Sequence, residues 1–365
     1  MQKDFSNDLE FRAFLNPAVR NMSAYHISGG QNAEIKLNQN ENPLDLPDWL
    51  KEKILADFAK EQWNRYPEIF PNQATRKYAE FLDVPAECVL MGNGSNELLY
   101  TIFMATLTKG ASVLIPQPSF SLYEKIADIL NADVIAVPMT SSFEFQPERI
   151  IAEAKNSQPN LIVLSTPNNP TSKSLSYEQI KQIVTETDSI VLADEAYIEF
   201  SKQKSALDLI YEHSNLLVLR TMSKAFSLAG VRVGFAISHP ELLKEISKPK
   251  IPFASNRLAE LCLIHVLENY SVIDERVKML LGERERMAGI LAKMNGIFLH
   301  ESDTNFFIIE VEQPGEVFNR LKAKDIIVRN VSSYPMMEKC LRINVGTKAE
   351  NDRFLSELEK IMNEG

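Results

Sequence analysis

Short apolar runs alternate along the chain with longer amphipathic segments. Val113–Ile115, Val134–Val137, Leu161–Leu164, Ile190–Ala193, Leu216–Leu219 and Val233–Ile237 are continuously apolar or small, which predicts buried strands. The intervening stretches, such as Glu97 to Thr108 and Tyr177 to Thr187, carry apolar residues three and four apart among helix formers, the pattern of one-sided helices. Alternation of this kind predicts an α/β fold in which a mostly parallel central sheet is covered by helices on both faces. Beyond Pro240 the pattern changes. Helical stretches Leu258–Asn269 and Val272–Met294 precede strand-like runs Asn305–Glu310 and Leu341–Val345 around a helix near Glu316–Lys324, and a helix over Ala349–Met362 closes the chain. This predicts a smaller α+β domain. The expected division is an arm over 1–40 that packs on the small domain or a partner subunit, a large domain over 41–255, and a small domain over 256–365.

Composition narrows the class. The 365 residues are enough for two domains. With 39 Lys and Arg against 49 Asp and Glu, the net charge of −10 argues against nucleic acid or an anionic membrane as the main partner. No apolar run approaches the ~18 residues of a spanning helix, and Met1 to Arg20 holds no signal-peptide core. The three cysteines are an odd number and widely spaced, so a reducing cytoplasm is expected rather than a disulfide framework. The five histidines have no metal-binding spacing, and no metal is expected.

In open α/β sheets ligands bind beyond the carboxyl ends of the strands, so the residues that follow each strand are the candidates. Gly92-Asn93-Gly94-Ser95-Asn96-Glu97 lets backbone N–H groups approach an anion at a helix start, although Ser95 or Asn96 could simply cap that helix. Thr166-Pro167-Asn168-Asn169-Pro170-Thr171 is a stiff loop that aims amides, or merely a turn. Asp194, at the end of a buried run, must be paired, face a polar ligand, or cap a helix. Lys224 lies among small and apolar residues between Thr221, Ser223 and Arg232, where a desolvated amine loses basicity and becomes nucleophilic. An anion cradle, an amide loop, an Asp with Tyr197 three residues on, and a lysine among hydroxyls form the set that pyridoxal phosphate requires.

These segments also resemble a known family. Leu37–Pro43, Asn64-Arg65-Tyr66-Pro67, Gly92–Glu97, Pro118–Tyr123, Pro167–Thr171, Asp194–Tyr197, Ser223–Gly234 and Leu341–Thr347 together resemble the fold-type I pyridoxal-phosphate-dependent aminotransferases over essentially the whole chain. Within that group they are most similar to the histidinol-phosphate branch. The resemblance implies that Lys224 is the Schiff-base lysine and proton shuttle. It implies that Asp194 partners the ring nitrogen and that Tyr197 and Asn169 donate to the ring oxygen. Phe120 would stack on the ring, and Ser95, Asn96, Thr221, Ser223 and Arg232 would hold the phosphate. Tyr66 would reach the phosphate of a neighbouring subunit, so a homodimer is expected. Arg342, Arg329, Tyr25 and Asn169 would bind substrate. The expected reaction is transamination between histidinol phosphate and 2-oxoglutarate, giving imidazole-acetol phosphate and glutamate. Alternatives are an aromatic amino-acid aminotransferase, a threonine-phosphate decarboxylase, or a non-catalytic binding protein on the same fold. Phe120 stands where a Tyr is usual, and Ser172 and Ser227 stand where Gly is frequent.

Overall fold

The computed structural model describes residues 13–23, 33–68 and 72–364. Helix α1 (Pro17–Asn21), strand β1 (Ile35–Lys36), α2 (Asp48–Phe58) and α3 (Gln73–Leu82) lead into the main sheet. Its strands and helices follow as β2 (Val89–Asn93), α4 (Ser95–Thr106), β3 (Ser112–Gln117), α5 (Leu122–Leu130), β4 (Asp133–Pro138), α6 (Pro147–Ser157), β5 (Leu161–Ser165), α7 (Tyr177–Glu186), β6 (Ile190–Asp194), β7 (Leu216–Thr221) and β8 (Val233–Ser238). The strands lie in the order β2-β8-β7-β6-β5-β3-β4. From β4 through β7 every pairing is parallel. Strand β8 runs antiparallel to both β7 and β2, a direction that periodicity alone does not report.

Strands β5, β7 and β8 are buried at every position, which is why they read as unbroken apolar runs. Edge strand β4 is fully buried only at Val137. The covering helices are set by local signals. Helix α7 starts at a Ser176/Gln179 capping box and buries Ile180, Ile183 and Val184, three and four apart.

The remainder comprises α8 (Pro240–Ile246), α9 (Arg257–Glu268), α10 (Tyr270–Leu291), β9 (Phe298–Leu299), β10 (Phe306–Glu310), α11 (Pro314–Lys322), β11 (Ile326–Ile327), β12 (Arg329–Asn330), β13 (Cys340–Asn344) and α12 (Lys348–Asn363). Strands β12-β13-β10-β9 form an antiparallel sheet. Strand β1 pairs in parallel with β11, tying residues 35–36 to this second unit. Asn256 caps α9, its side chain accepting from Ala259 N–H. Among the described residues no helix is long and apolar enough to cross a membrane.

The topology gathers chemistry at one edge. The carboxyl ends of β2, β5, β6 and β7 point the same way, and antiparallel β8 begins beside them, with Gly234 opposite both Thr221 and Gly92.

Candidate active site

At that edge lies a cavity of about 410 Å³. Its first wall is the start of α4. Gly94, at φ +76°, is the cap residue, so the helix starts at Ser95, and neither Ser95 nor Asn96 is its cap. No side chain caps this terminus, and Ser95 and Asn96 line the cavity. The approach is close. A Cβ on Gly94 would fall 2.4 Å from an Arg232 nitrogen, and one on Gly234 would fall 2.3 Å from the Ser95 backbone nitrogen. Arg232 Nη1 donates to Ser223 Oγ at 3.2 Å and to the Ala229 carbonyl at 2.9 Å. Thr221 Oγ1 accepts from Ser223 N–H at 3.2 Å. A guanidinium, two hydroxyls and an uncapped helix start make an anion cradle. Arg232, Ser172 and Ser227 all adopt positive φ, which explains why glycine would suit the two serine positions.

The floor is Asp194, the last residue of β6, and it is followed by a turn rather than a helix. Its Oδ2 accepts from the Tyr123 hydroxyl at 2.7 Å and its Oδ1 from Ala196 N–H at 3.2 Å. Burial pushes this carboxyl up to about 6, against the pull of those two bonds. Tyr197 and Asn169 line the same cavity, as does Phe120, whose ring meets Tyr123 edge-on at 5.6 Å. Asn40 Nδ2 donates to the Tyr197 hydroxyl at 2.9 Å.

Lys224 keeps only part of its surface, and the cavity lies against it. Burial, and then the positive Arg342, push its amine down to about 8, with Glu41 opposing. Its Nζ donates to the Gln39 carbonyl at 2.9 Å. Arg342 donates to the neighbouring Asn38 carbonyl at 2.7 Å and to Asn169 Oδ1. The strap from Asn38 to Asn40 therefore closes the cavity with main-chain acceptors.

The opposite wall carries Arg329 and Arg342. They are direct partners across antiparallel β12 and β13, so their side chains share one face. Like charges directly opposed destabilise a sheet, and an anion between them would offset that cost. Arg342 also lies over the Phe306 ring at 5.2 Å.

Twelve of the residues singled out from the sequence thus line one cavity: Ser95, Asn96, Phe120, Asn169, Asp194, Tyr197, Thr221, Ser223, Lys224, Arg232, Arg329 and Arg342. Tyr66 does not line it. It is 81% exposed and stacks on Phe253 at 4.5 Å. Tyr25 lies outside the described residues. The sequence reading assigned no role to Tyr123, Asn40 or Tyr334, all of which line the cavity. Asn40 could have been suspected from its place in an Asn-rich run, and Tyr123 from its position three residues after Phe120.

An amine of lowered basicity, a buried carboxylate and an anion cradle in one cavity define the equipment of a cofactor-dependent amine-transfer enzyme, and the family match agrees. Residues 32–358 match aminotransferase class I and II, and the chain belongs to that family. The histidinol-phosphate aminotransferase of Chlorobaculum tepidum is 58% identical over 347 residues, covering 95% of this chain and all of that protein. The crystal structure of histidinol-phosphate aminotransferase from Sinorhizobium meliloti in complex with pyridoxal-5′-phosphate shares the fold at a TM-score of 0.87 and 20% identity, covering the whole of both chains. An L-threonine-O-3-phosphate decarboxylase from Porphyromonas gingivalis shares it at 0.80 and 22%, covering 90% of this chain and 99% of its own, so the fold alone does not choose the reaction.

Proposed function

We propose that this chain is a pyridoxal-phosphate-dependent transaminase that takes the amino group of L-histidinol phosphate and passes it to 2-oxoglutarate. What carries this reading is the gathering of Lys224, Asp194 and Arg232 around one cavity, in a chain 58% identical to a histidinol-phosphate aminotransferase over 95% of its length. The donor set fits the cofactor. A buried carboxylate whose protein donors are neutral suits a cationic ring nitrogen. The close approach at Gly94 and Gly234 suits a phosphate, and Phe120 offers an apolar ring face.

When bound, the cofactor supplies an electron sink for the pair left at the substrate Cα. Lys224 Nζ, made less basic by burial, would move the proton between the substrate Cα and the cofactor. Asp194 holds the ring nitrogen protonated. Tyr197 and Asn169 donate to the ring oxygen, and Ser95, Asn96, Thr221, Ser223 and Arg232 hold the phosphate. Arg342 and Arg329 take the substrate's anionic end, and a planar guanidinium suits both the phosphate of one substrate and the carboxylate of the other.

The active unit in this reading is a homodimer. Trp63, Tyr66, Ile251 and Phe253 are exposed large hydrophobics, and Tyr66 would serve the partner's cavity. Mixing Tyr66→Phe with Lys224→Ala subunits should then restore activity, because each hybrid dimer holds one intact site. Hybrids that stay inactive would return Tyr66 to its own subunit or to no role.

The substrate assignment is tested by following each half-reaction through the cofactor's absorbance with histidinol phosphate, phenylalanine, tyrosine and threonine phosphate in turn. The highest kcat/KM is expected for histidinol phosphate. A higher value for an aromatic amino acid, or release of carbon dioxide from threonine phosphate, would overturn it.

A further inference from the structure

Asp194 needs help to stay ionised. Burial and the adjacent Glu195 both favour its neutral form, and the Tyr123 hydrogen bond is the largest opposing influence. The two bonds that hold the carboxylate differ in kind. The one from Ala196 N–H is local, two residues on, at 3.2 Å. The one from Tyr123 comes from α5, 71 residues away, at 2.7 Å. Tyr123 is itself buried and has little room to swing, with its ring stacked on Phe103 at 6.4 Å and edge-on to Phe120 at 5.6 Å. Burial, with Asp194 beside it, holds the phenol well above its ordinary range, so it remains a donor at every working pH.

We propose that Tyr123 is the positioning residue for the ring-nitrogen contact: it fixes the Asp194 carboxylate, and through Phe120 the adjoining ring wall, so that the protonated nitrogen of pyridoxal phosphate meets an anion of set orientation. The proposal rests on the cofactor reading above. A hydrogen bond from a neutral donor to a charged acceptor is stronger than one between neutral partners, so removing the hydroxyl both loosens the carboxylate and favours its protonation. A protonated carboxyl in turn no longer pairs with a cationic ring nitrogen.

The test measures the affinity of the cofactor-free protein, by equilibrium dialysis, for pyridoxal phosphate and for the analogue with carbon in place of the ring nitrogen. Tyr123→Phe should bind pyridoxal phosphate about ten- to a hundredfold less tightly, while its affinity for the analogue hardly changes. Equal losses for both compounds would mean a general loosening and would overturn the proposal. In an Asp194→Asn background, adding Tyr123→Phe should cost nothing further, and additive losses would also overturn it. Should Tyr123→Phe not fold, carbon-13 labelling of the tyrosine Cζ in the wild-type chain gives a second readout. The Tyr123 resonance should move when pyridoxal phosphate binds and stay in place with the analogue, and an equal response to both counts against the proposal. A loss of affinity in Asp194→Asn but not in Tyr123→Phe overturns the Tyr123 role alone, whereas no loss in Asp194→Asn overturns the cofactor reading with it.

Discussion

Asp194 and Glu195 are consecutive buried carboxylates in opposite situations. Glu195 points away from the cavity. It pairs with Arg220 at 2.8 Å and accepts from Ser205 Oγ at 2.8 Å and Ala206 N–H at 2.7 Å. Arg220 also reaches Glu199 at 3.2 Å. Burial is the largest single influence and works against the Arg220 charge, but Glu195, Tyr78 and Glu199 together outweigh it and the guanidinium is held more firmly protonated than usual. Asp194, one residue earlier, faces the cavity, has donors that are neutral, and forms no salt bridge among the described residues. The cations divide the same way, with Arg220 locked in a cluster and Lys224 made less basic beside the cavity. A buried charge whose partners are all protein groups is architecture. One that faces a cavity and has no charged protein partner is the candidate binding group.

Mutations can break this contrast. The largest effect is expected for Lys224→Ala, which should lose transamination by several orders of magnitude while far-UV circular dichroism is unchanged. Borohydride reduction of the loaded enzyme should place the pyridoxyl label on Lys224 in peptide maps, and a label on another lysine would refute the assignment. Next, Asp194→Asn should cost several orders in turnover without loss of stability, because it removes a buried charge. Glu195→Gln should do the reverse. Breaking a buried pair costs about 3–5 kcal/mol, visible as a lower urea midpoint, while turnover per folded molecule falls far less. If Glu195→Gln abolishes turnover without destabilising the fold, the division between architecture and binding group fails.

The arginine pair extends the comparison to the opposite wall of the cavity. Arg342→Lys should impair both half-reactions about ten- to a hundredfold, since an ammonium cannot reproduce the planar fork. Arg329→Ala should raise KM mainly for histidinol phosphate and spare the glutamate half-reaction. Unchanged histidinol-phosphate kinetics in Arg329→Ala would remove this residue from the phosphate contact.

The smallest effect is a pH signature of the cofactor-free protein. Asp194 is raised from 3.8 to about 6, so the folded state binds its proton more tightly and stability falls as pH rises across that window. Lys224 is lowered from 10.5 to about 8, so the folded state releases its proton earlier and stability rises between about 8 and 10.5. Urea midpoints across pH should show both slopes. Asp194→Asn should flatten the first and Lys224→Ala the second. A slope that survives its own variant belongs to another group.

Much of the site was legible in the chain itself, because its groups sit a few residues beyond apolar strands. Asp194 ends β6, Asn169 and Lys224 follow β5 and β7, and Ser95 follows β2. Strand, turn and helix start are local preferences, and in a parallel sheet they deliver these residues to one edge without further instruction. Other features depend on tertiary closure. The antiparallel course of β8 follows from which neighbours it pairs with. The opposition of Arg329 and Arg342 is a matter of register, although the arginines themselves were visible. The Tyr123–Asp194 bond spans 71 residues, that of Asn40 with Tyr197 spans 157, and that of Lys224 with the Gln39 carbonyl spans 185. The sequence alone therefore determined the strand order of chemistry, which residue types stand where each strand ends. Only the tertiary structure decided which of them are desolvated, and by what, and so which carboxylate and which amine titrate near neutral pH. Desolvation depends on everything packed around a group, and no local pattern encodes that.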